Sequence, residues 1–217
     1  MIQIIKSSPA EINIDPEEVA VYLGYYSVKP DETVSSISCG CTDEFLNCAN
    51  FIACFEKVPV KIDNGVDLGF MKVCSKSLEK NLDGCDYAYI MAATTGIDAH
   101  RLIEKNAIIS PLKGMVTDCI GSAAIESFCD KINFSLCENP DFLRPRFSPG
   151  YGDLCIDCQK KITDFLCTNK NIGLSLTESF MMIPKKSVTA IIGIGKEKNK
   201  CKGNGCMTCK SENCPYR

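Results

Sequence analysis

The sequence predicts an α+β fold: a central, largely antiparallel twisted sheet flanked by helices, followed by a cysteine-rich C-terminal tail. Three observations predict it. Helix-start signals with apolar residues at helical spacing alternate with apolar runs short enough for strands. Two such runs near the C-terminus, residues 174–183 and 187–194, flank Pro184, Lys185 and Lys186, the spacing of paired antiparallel strands. At 217 residues without an internal repeat, the chain has room for one packed domain and an appendage, and a solenoid is excluded.

The elements follow in order. Asp15, Pro16 and Glu18 read as N-cap, first-turn proline and capping-box carboxylate of a helix that stops at Gly24. Asp31 opens a second helix, whose apolar positions Val34, Ile37, Cys41, Phe45 and Cys48 share one face. Residues 51–62 read as a strand and residues 70–73 as another. A short helix over 75–82 leads into the best strand candidate, residues 86–93, closed by Thr94, Thr95 and Gly96. Helices follow over 98–106 and 111–134. An irregular loop comes next, and Asp153 is placed to cap a helix over 154–169.

Composition excludes several classes of function. The net charge is −3, and a nucleic-acid binder needs a basic footprint. No apolar run approaches the roughly 20 residues of a membrane span. Glu11 and Asp15 come too early for a signal peptide, so a cytoplasmic location is expected. The 16 cysteines are the anomaly. Without an export signal a disulfide framework is not expected, and Cys54, Cys74, Cys85, Cys129 and Cys167 read as small hydrophobes in a reducing compartment.

Residues 196–217 differ from residues 1–195, carrying a local charge of +4 against −7 for the remainder. The tail has too little apolar content to pack, yet holds Cys201, Cys206, Cys209 and Cys214 in a C-x4-C-x2-C-x4-C pattern. Four thiolates meet the ligand need of zinc or an iron–sulfur cluster, and the metal would supply the folding energy that burial cannot. Cys155 and Cys158 form a further C-x2-C at an expected helix N-terminus, where the dipole would lower a thiol pKa. Packing against an apolar face is the alternative for that pair.

The segment Arg146, Phe147, Ser148, Pro149, Gly150, Tyr151, Gly152, Asp153 is the most informative stretch. Pro149 fixes one φ, the glycines allow positive φ or close approach, and Arg146 and Tyr151 add a planar cation and an aromatic face. It reads either as a tight surface turn or as a rigid loop offered to a small ligand. Glu126, among apolar neighbours Ile125 and Phe128, must be paired, sit at an edge, or meet a cationic ligand. His100 has no predictable partner and reads as a surface residue. Thr94–Gly96 reads as a plain turn more readily than as a phosphate cradle.

Read together, the 146–151 loop and residues 176–184 (Leu, Thr, Glu, Ser, Phe, Met, Met, Ile, Pro) resemble the activation domain of cobalamin-dependent methionine synthase. That family carries an R-x-(small)-P-G-Y loop, followed by an L-T-E-S-(aromatic)-x-M-x-P segment and a strand. The resemblance runs over residues 80–195 and implies S-adenosylmethionine binding. It implies that Arg146 contacts the methionyl carboxylate and that Glu126 meets the amine. The backbone near Ser148 and Gly150 would take the ligand's polar edge, and Tyr151 the sulfonium region. The implied partner is a cobalamin-binding methionine synthase or other corrinoid protein, whose oxidised cob(II)alamin is reduced and remethylated. The homocysteine, folate and cobalamin modules of that enzyme have no counterpart in the sequence, so action in trans is expected, with an electron donor as a further partner. Cys155, Cys158 and the tail cysteines fall outside the family pattern, and its N-terminal acidic contact has no placed counterpart. The alternatives are an iron–sulfur or zinc-binding redox or docking protein with a vestigial ligand site, and a scaffold that only docks the cobalamin protein.

Overall fold

The computed structural model describes residues 1–26, 28–136 and 142–196. The tail cysteines Cys201, Cys206, Cys209 and Cys214 lie outside the described residues. In chain order the elements are β1 (Gln3–Ser7), α1 (Pro16–Tyr22), α2 (Glu32–Cys48), β2 (Phe51–Pro59), β3 (Lys61–Ile62), β4 (Val66–Asp67) and β5 (Lys72–Val73). Then come α3 (Lys76–Asn81), β6 (Cys85–Thr94), α4 (Ile97–Ile109), α5 (Pro111–Leu136), α6 (Cys158–Phe165), α7 (Thr168–Ile172), β7 (Ser175–Leu176), β8 (Met182–Ile183) and β9 (Ser187–Gly195).

The central sheet has the order β1-β2-β6-β9 and is antiparallel throughout. Its two long central strands are apolar at nearly every position because both faces are covered, and alternate residues feed two cores. Phe51, Ala53, Phe55, Met91, Ala93, Ala190 and Ile192 face a core that includes Phe45 of α2, Ile103 of α4 and Phe128 of α5. Ile52, Cys54, Val58, Ala88, Ile90, Ala92 and Ile191 face the other, with Leu78 of α3, Ile162 of α6 and Leu166 beyond it. Helix α5 crosses the first core with Phe128 fully buried, its ring edge-on to Phe51 at 5.5 Å.

The α+β class and most elements agree with expectation, and the differences have local causes. Residues 174–183 and 187–194 do not pair with each other. The first run folds on itself as the β7–β8 hairpin, and β9 instead pairs along the whole of β6. The expected strand over 51–62 is interrupted at Val60, after which Lys61 and Ile62 join a separate small sheet with β4. The expected helix over 154–169 is two: α6 covers Cys158–Phe165, and Cys167, at φ 47°, turns the chain into α7. Asp15 caps α1 by accepting from Glu17 N, while the Glu18 carboxylate accepts from Tyr22 Oη rather than closing a capping box.

Truncating Phe128 to alanine removes a ring that touches both sheet and helix layer. The expected loss is about 3–5 kcal/mol of unfolding free energy, read as a lower denaturant midpoint. An unchanged midpoint would contradict this packing.

Candidate functional site

Helix α5 ends at Leu136, and the chain next meets the sheet along the outer edge of β9. Leu143 bridges Ile194, Arg144 N donates to Gly193 O at 2.8 Å, and Phe147 exchanges both main-chain hydrogen bonds with Ile191. Ladder contacts on both sides of Arg146 thus fix its backbone before any side chain is considered. From there the guanidinium reaches back to α5. Nη2 donates to Glu126 Oε2 at 2.6 Å and Nη1 to Asp130 Oδ1 at 2.7 Å. Glu126 and Asp130 lie four residues apart, on one stripe of the helix.

The Arg146 side chain is 19% exposed, while those of Glu126 and Asp130 are 40% and 57% exposed, so the pair opens to solvent on its acidic side. Burial alone would lower the Arg146 pKa. The carboxylates of Glu126 and Asp130 outweigh it and push the pKa up. Cys129 itself is fully buried, and burial pushes its thiol up to about 12, which leaves it neutral.

Helix α1 supplies a third carboxylate. Burial raises the Glu18 pKa; a hydrogen bond from Tyr22 opposes the rise, and the charges of Glu126 and Asp130 add to it. Burial, then Glu18 and Glu126, push the Tyr22 phenol well above its ordinary value, so it keeps its proton and donates at 3.3 Å. Sequence reading missed Glu18, Tyr22 and Asp130 as site residues. For Asp130 the signal existed, since it follows Glu126 by one helical turn. For Glu18 none did, because α1 is over 100 residues away in the chain.

The loop after Arg146 is a run of tight turns. Tyr151 N donates to Ser148 O at 3.0 Å, and Gly150 N donates to Leu154 O at 2.8 Å. Gly150 holds φ 91°, a conformation that favours glycine. Those two main-chain groups therefore serve the loop's own fold. The Tyr151 ring is 57% exposed and meets the Phe147 ring edge-on at 6.0 Å. The structure thus brings Glu126 and Arg146 together, with Ser148, Gly150 and Tyr151 following Arg146 in the same loop.

Other expectations are corrected. Asp153 does not cap the helix that follows it. It accepts instead from Ser75 Oγ, Lys76 N and Ser77 N at the start of α3, at 2.6, 2.8 and 3.1 Å. The Cys158 thiol is not lowered by its place at the start of α6: burial and the Asp157 carboxylate raise its pKa. His100 is buried rather than on the surface, with 8% exposed and Nδ1 unpartnered. Thr94 Oγ1 is consumed by Gly96 N and Ser187 Oγ, which makes the Thr94–Gly96 turn structural. Cys54, Cys85 and Cys129 are buried as expected, whereas Cys74 and Cys167 are exposed. Among the described residues, no group of three or more His, Cys, Asp or Glu is arranged to hold a metal ion. None of the described helices is long and apolar enough to cross a membrane.

Residues 131–204 match the family model described as vitamin B12 dependent methionine synthase, activation domain. The segment holds both motifs on which the resemblance rests, the Arg146–Tyr151 loop and residues 176–184, and begins just after Glu126. The fold is similar to that of a protein described as the MetH reactivation domain bound to AdoHcy, with a TM-score of 0.65 and 16% identity, covering 93% of this chain and 80% of that one. No curated protein matches the sequence. The resemblance to the activation domain therefore holds in the matched segment and in the architecture.

Cys155 is exposed and Cys158 buried. Native alkylation with iodoacetamide should label Cys155 at least about tenfold faster than Cys158. Equal labelling rates by mass spectrometry would contradict the shielding of Cys158.

Proposed function

We propose that this chain binds S-adenosylmethionine where Arg146 meets α5 and presents it, in trans, to the cobalamin of methionine synthase or a related corrinoid methyltransferase for reductive reactivation. The observation that carries the reading is the two-pronged Arg146 contact with Glu126 and Asp130, set in the loop that the family model matches. Bound there, the ligand supplies a methyl group to the partner's reduced cobalamin.

The charges at the site fit that ligand. Two carboxylates, Glu126 and Asp130, bind one guanidinium, and a third, Glu18, lies close enough to feel their charge, leaving an acidic excess. S-adenosylmethionine carries one carboxylate, one ammonium and one sulfonium, a net positive charge. On binding, Arg146 would exchange a side-chain carboxylate for the ligand's own, a planar and bidentate partner. Glu126, released on the same side, would accept from the ammonium. The exchanged carboxylate and ammonium leave each buried ion with an opposite partner, and the sulfonium offsets part of the acidic excess. The ring of Tyr151 offers an aromatic face to the sulfonium, and the Ser148 carbonyl keeps a second lone pair for the ligand's polar edge. None of these residues needs to act as acid, base or nucleophile, since the chemistry takes place on the partner's cofactor.

The tail cysteines Cys201, Cys206, Cys209 and Cys214 would hold an iron–sulfur cluster or zinc; their spacing is what supports it. Metal analysis and the visible spectrum of anaerobically purified protein test that reading. Bound iron with cluster absorbance is expected, and metal-free protein would remove it.

Calorimetric titration tests the ligand site. Wild type should bind S-adenosylmethionine saturably. Arg146→Ala should weaken binding by about 100-fold, the loss of two charge-assisted hydrogen bonds worth roughly 3 kcal/mol together. Binding unaffected by Arg146→Ala would overturn the assignment.

Affinity should also depend on pH through Glu18. Its pKa is raised, so as pH falls it takes up a proton before an ordinary glutamate does, and the site loses one negative charge. S-adenosylmethionine affinity should therefore decline on acidification from neutral pH, and Glu18→Gln should remove the early part of that decline. The same profile in wild type and variant would contradict the role of Glu18.

A further inference from the structure

The loop that carries Arg146 and Tyr151 is gripped at two places by one short helix. Helix α3 has only six residues, yet neither of its ends is left to solvent. At its start, Ser75 Oγ, Lys76 N and Ser77 N converge on the Asp153 carboxylate, at the distal end of the loop. At its end, Asn81 Nδ2 donates to Pro145 O at 3.2 Å, one residue before Arg146. Asn81 is 1% exposed, and its Oδ1 has no partner, so the contact that its buried amide makes is the one to Pro145. Between these points, Leu78 of α3 shares the second core with Phe147 and Leu154 of the loop. Gly152, at φ 54°, passes so close to α3 that a Cβ there would stand 2.5 Å from Ser77 Oγ.

We infer that α3 is a brace that pre-sets the ligand loop, with Asn81 and Asp153 as positioning residues that hold its two ends at a fixed span. The inference rests on the function proposed above and adds residues to it: neither Asn81 nor Asp153 touches Arg146, and both act through the backbone between Pro145 and Asp153. The physical reason is preorganisation. A loop rich in proline and glycine has many alternative turns, and binding would otherwise have to select one of them. Two anchors about eight residues apart, joined by a rigid helix, remove most of those alternatives before the ligand arrives. The carboxylate of Asp153 suits this task, since it accepts three hydrogen bonds at once and its pKa is held far below the ordinary carboxylate range by Ser75 and the main-chain N–H groups of α3.

The test combines affinity with local hydrogen exchange in the full chain. Asn81→Ala and Asp153→Ala are each compared with Asp153→Asn, which keeps part of the acceptor set, and with Asn106→Ala. The last breaks a buried amide contact to Thr117 between α4 and α5, remote from the loop, and controls for general destabilisation. Both alanine variants at the brace should bind S-adenosylmethionine at least tenfold more weakly, with faster exchange of the Phe147, Gly150 and Tyr151 amides and unchanged exchange in β6. Asp153→Asn should recover part of the affinity, and Asn106→Ala should keep all of it. Wild-type affinity in the two brace variants would overturn the inference, as would weaker binding without faster loop exchange. If wild type itself binds neither S-adenosylmethionine nor S-adenosylhomocysteine, the functional reading fails, and the exchange of the loop amides still decides whether α3 braces the loop.

Discussion

The contact between Arg146 and the carboxylates of Glu126 and Asp130 ties together parts of the chain that would otherwise be independent. Helix α5 is the longest element and packs across the first core, while the loop that follows lies along β9 and against the second. An arginine with 19% of its side chain exposed must keep its charge compensated, and α5 supplies that charge at 2.6 and 2.7 Å. The loop therefore cannot move away from α5 without stranding a guanidinium. Nor can α5 turn about its axis without withdrawing both carboxylates. Position, charge and fold are coupled at one point, where one guanidinium meets two carboxylates.

Around it, the structure divides its labour by layer. The β6 and β9 strands make a rigid floor, paired along nine positions. The helices α1 and α5 provide acidic groups over that floor, and α3 holds the loop from the opposite face of the sheet. Burial pushes the Cys129 thiol up to about 12, and the sole histidine, on α4, is itself buried.

Much of this was legible in the residues. Proline and glycine punctuation, caps at Asp15 and Asp31 and apolar spacing placed nearly every helix and both long central strands, because each is a local signal. The Arg146–Tyr151 loop and Glu126 could be singled out because both break local rules: a charge on an apolar face, and a ligand-like composition in a turn. Partnerships across the chain could not be read. Asp153 looked like the cap of the helix it precedes and is bonded instead to α3, some 77 residues earlier. The two apolar runs after Leu174 looked like partners, but the β7–β8 turn closes the first on itself and frees β9 to complete the sheet. His100 looked exposed beside Asp98, Arg101 and Glu104, because periodicity on α4 does not reveal how much of its polar side the rest of the fold covers. In each case the winning contact was long-range and its sequence signature was shared with a local alternative.

The central claim is that Arg146 trades a protein carboxylate for a ligand carboxylate, and a structure of the chain with S-adenosylhomocysteine bound tests it most directly. The account predicts the ligand's carboxylate on the two Arg146 nitrogens, with Glu126 turned to the ligand's ammonium and the 145–153 backbone unmoved. A ligand bound elsewhere, with the Arg146–Glu126 contact at 2.6 Å intact, would contradict it.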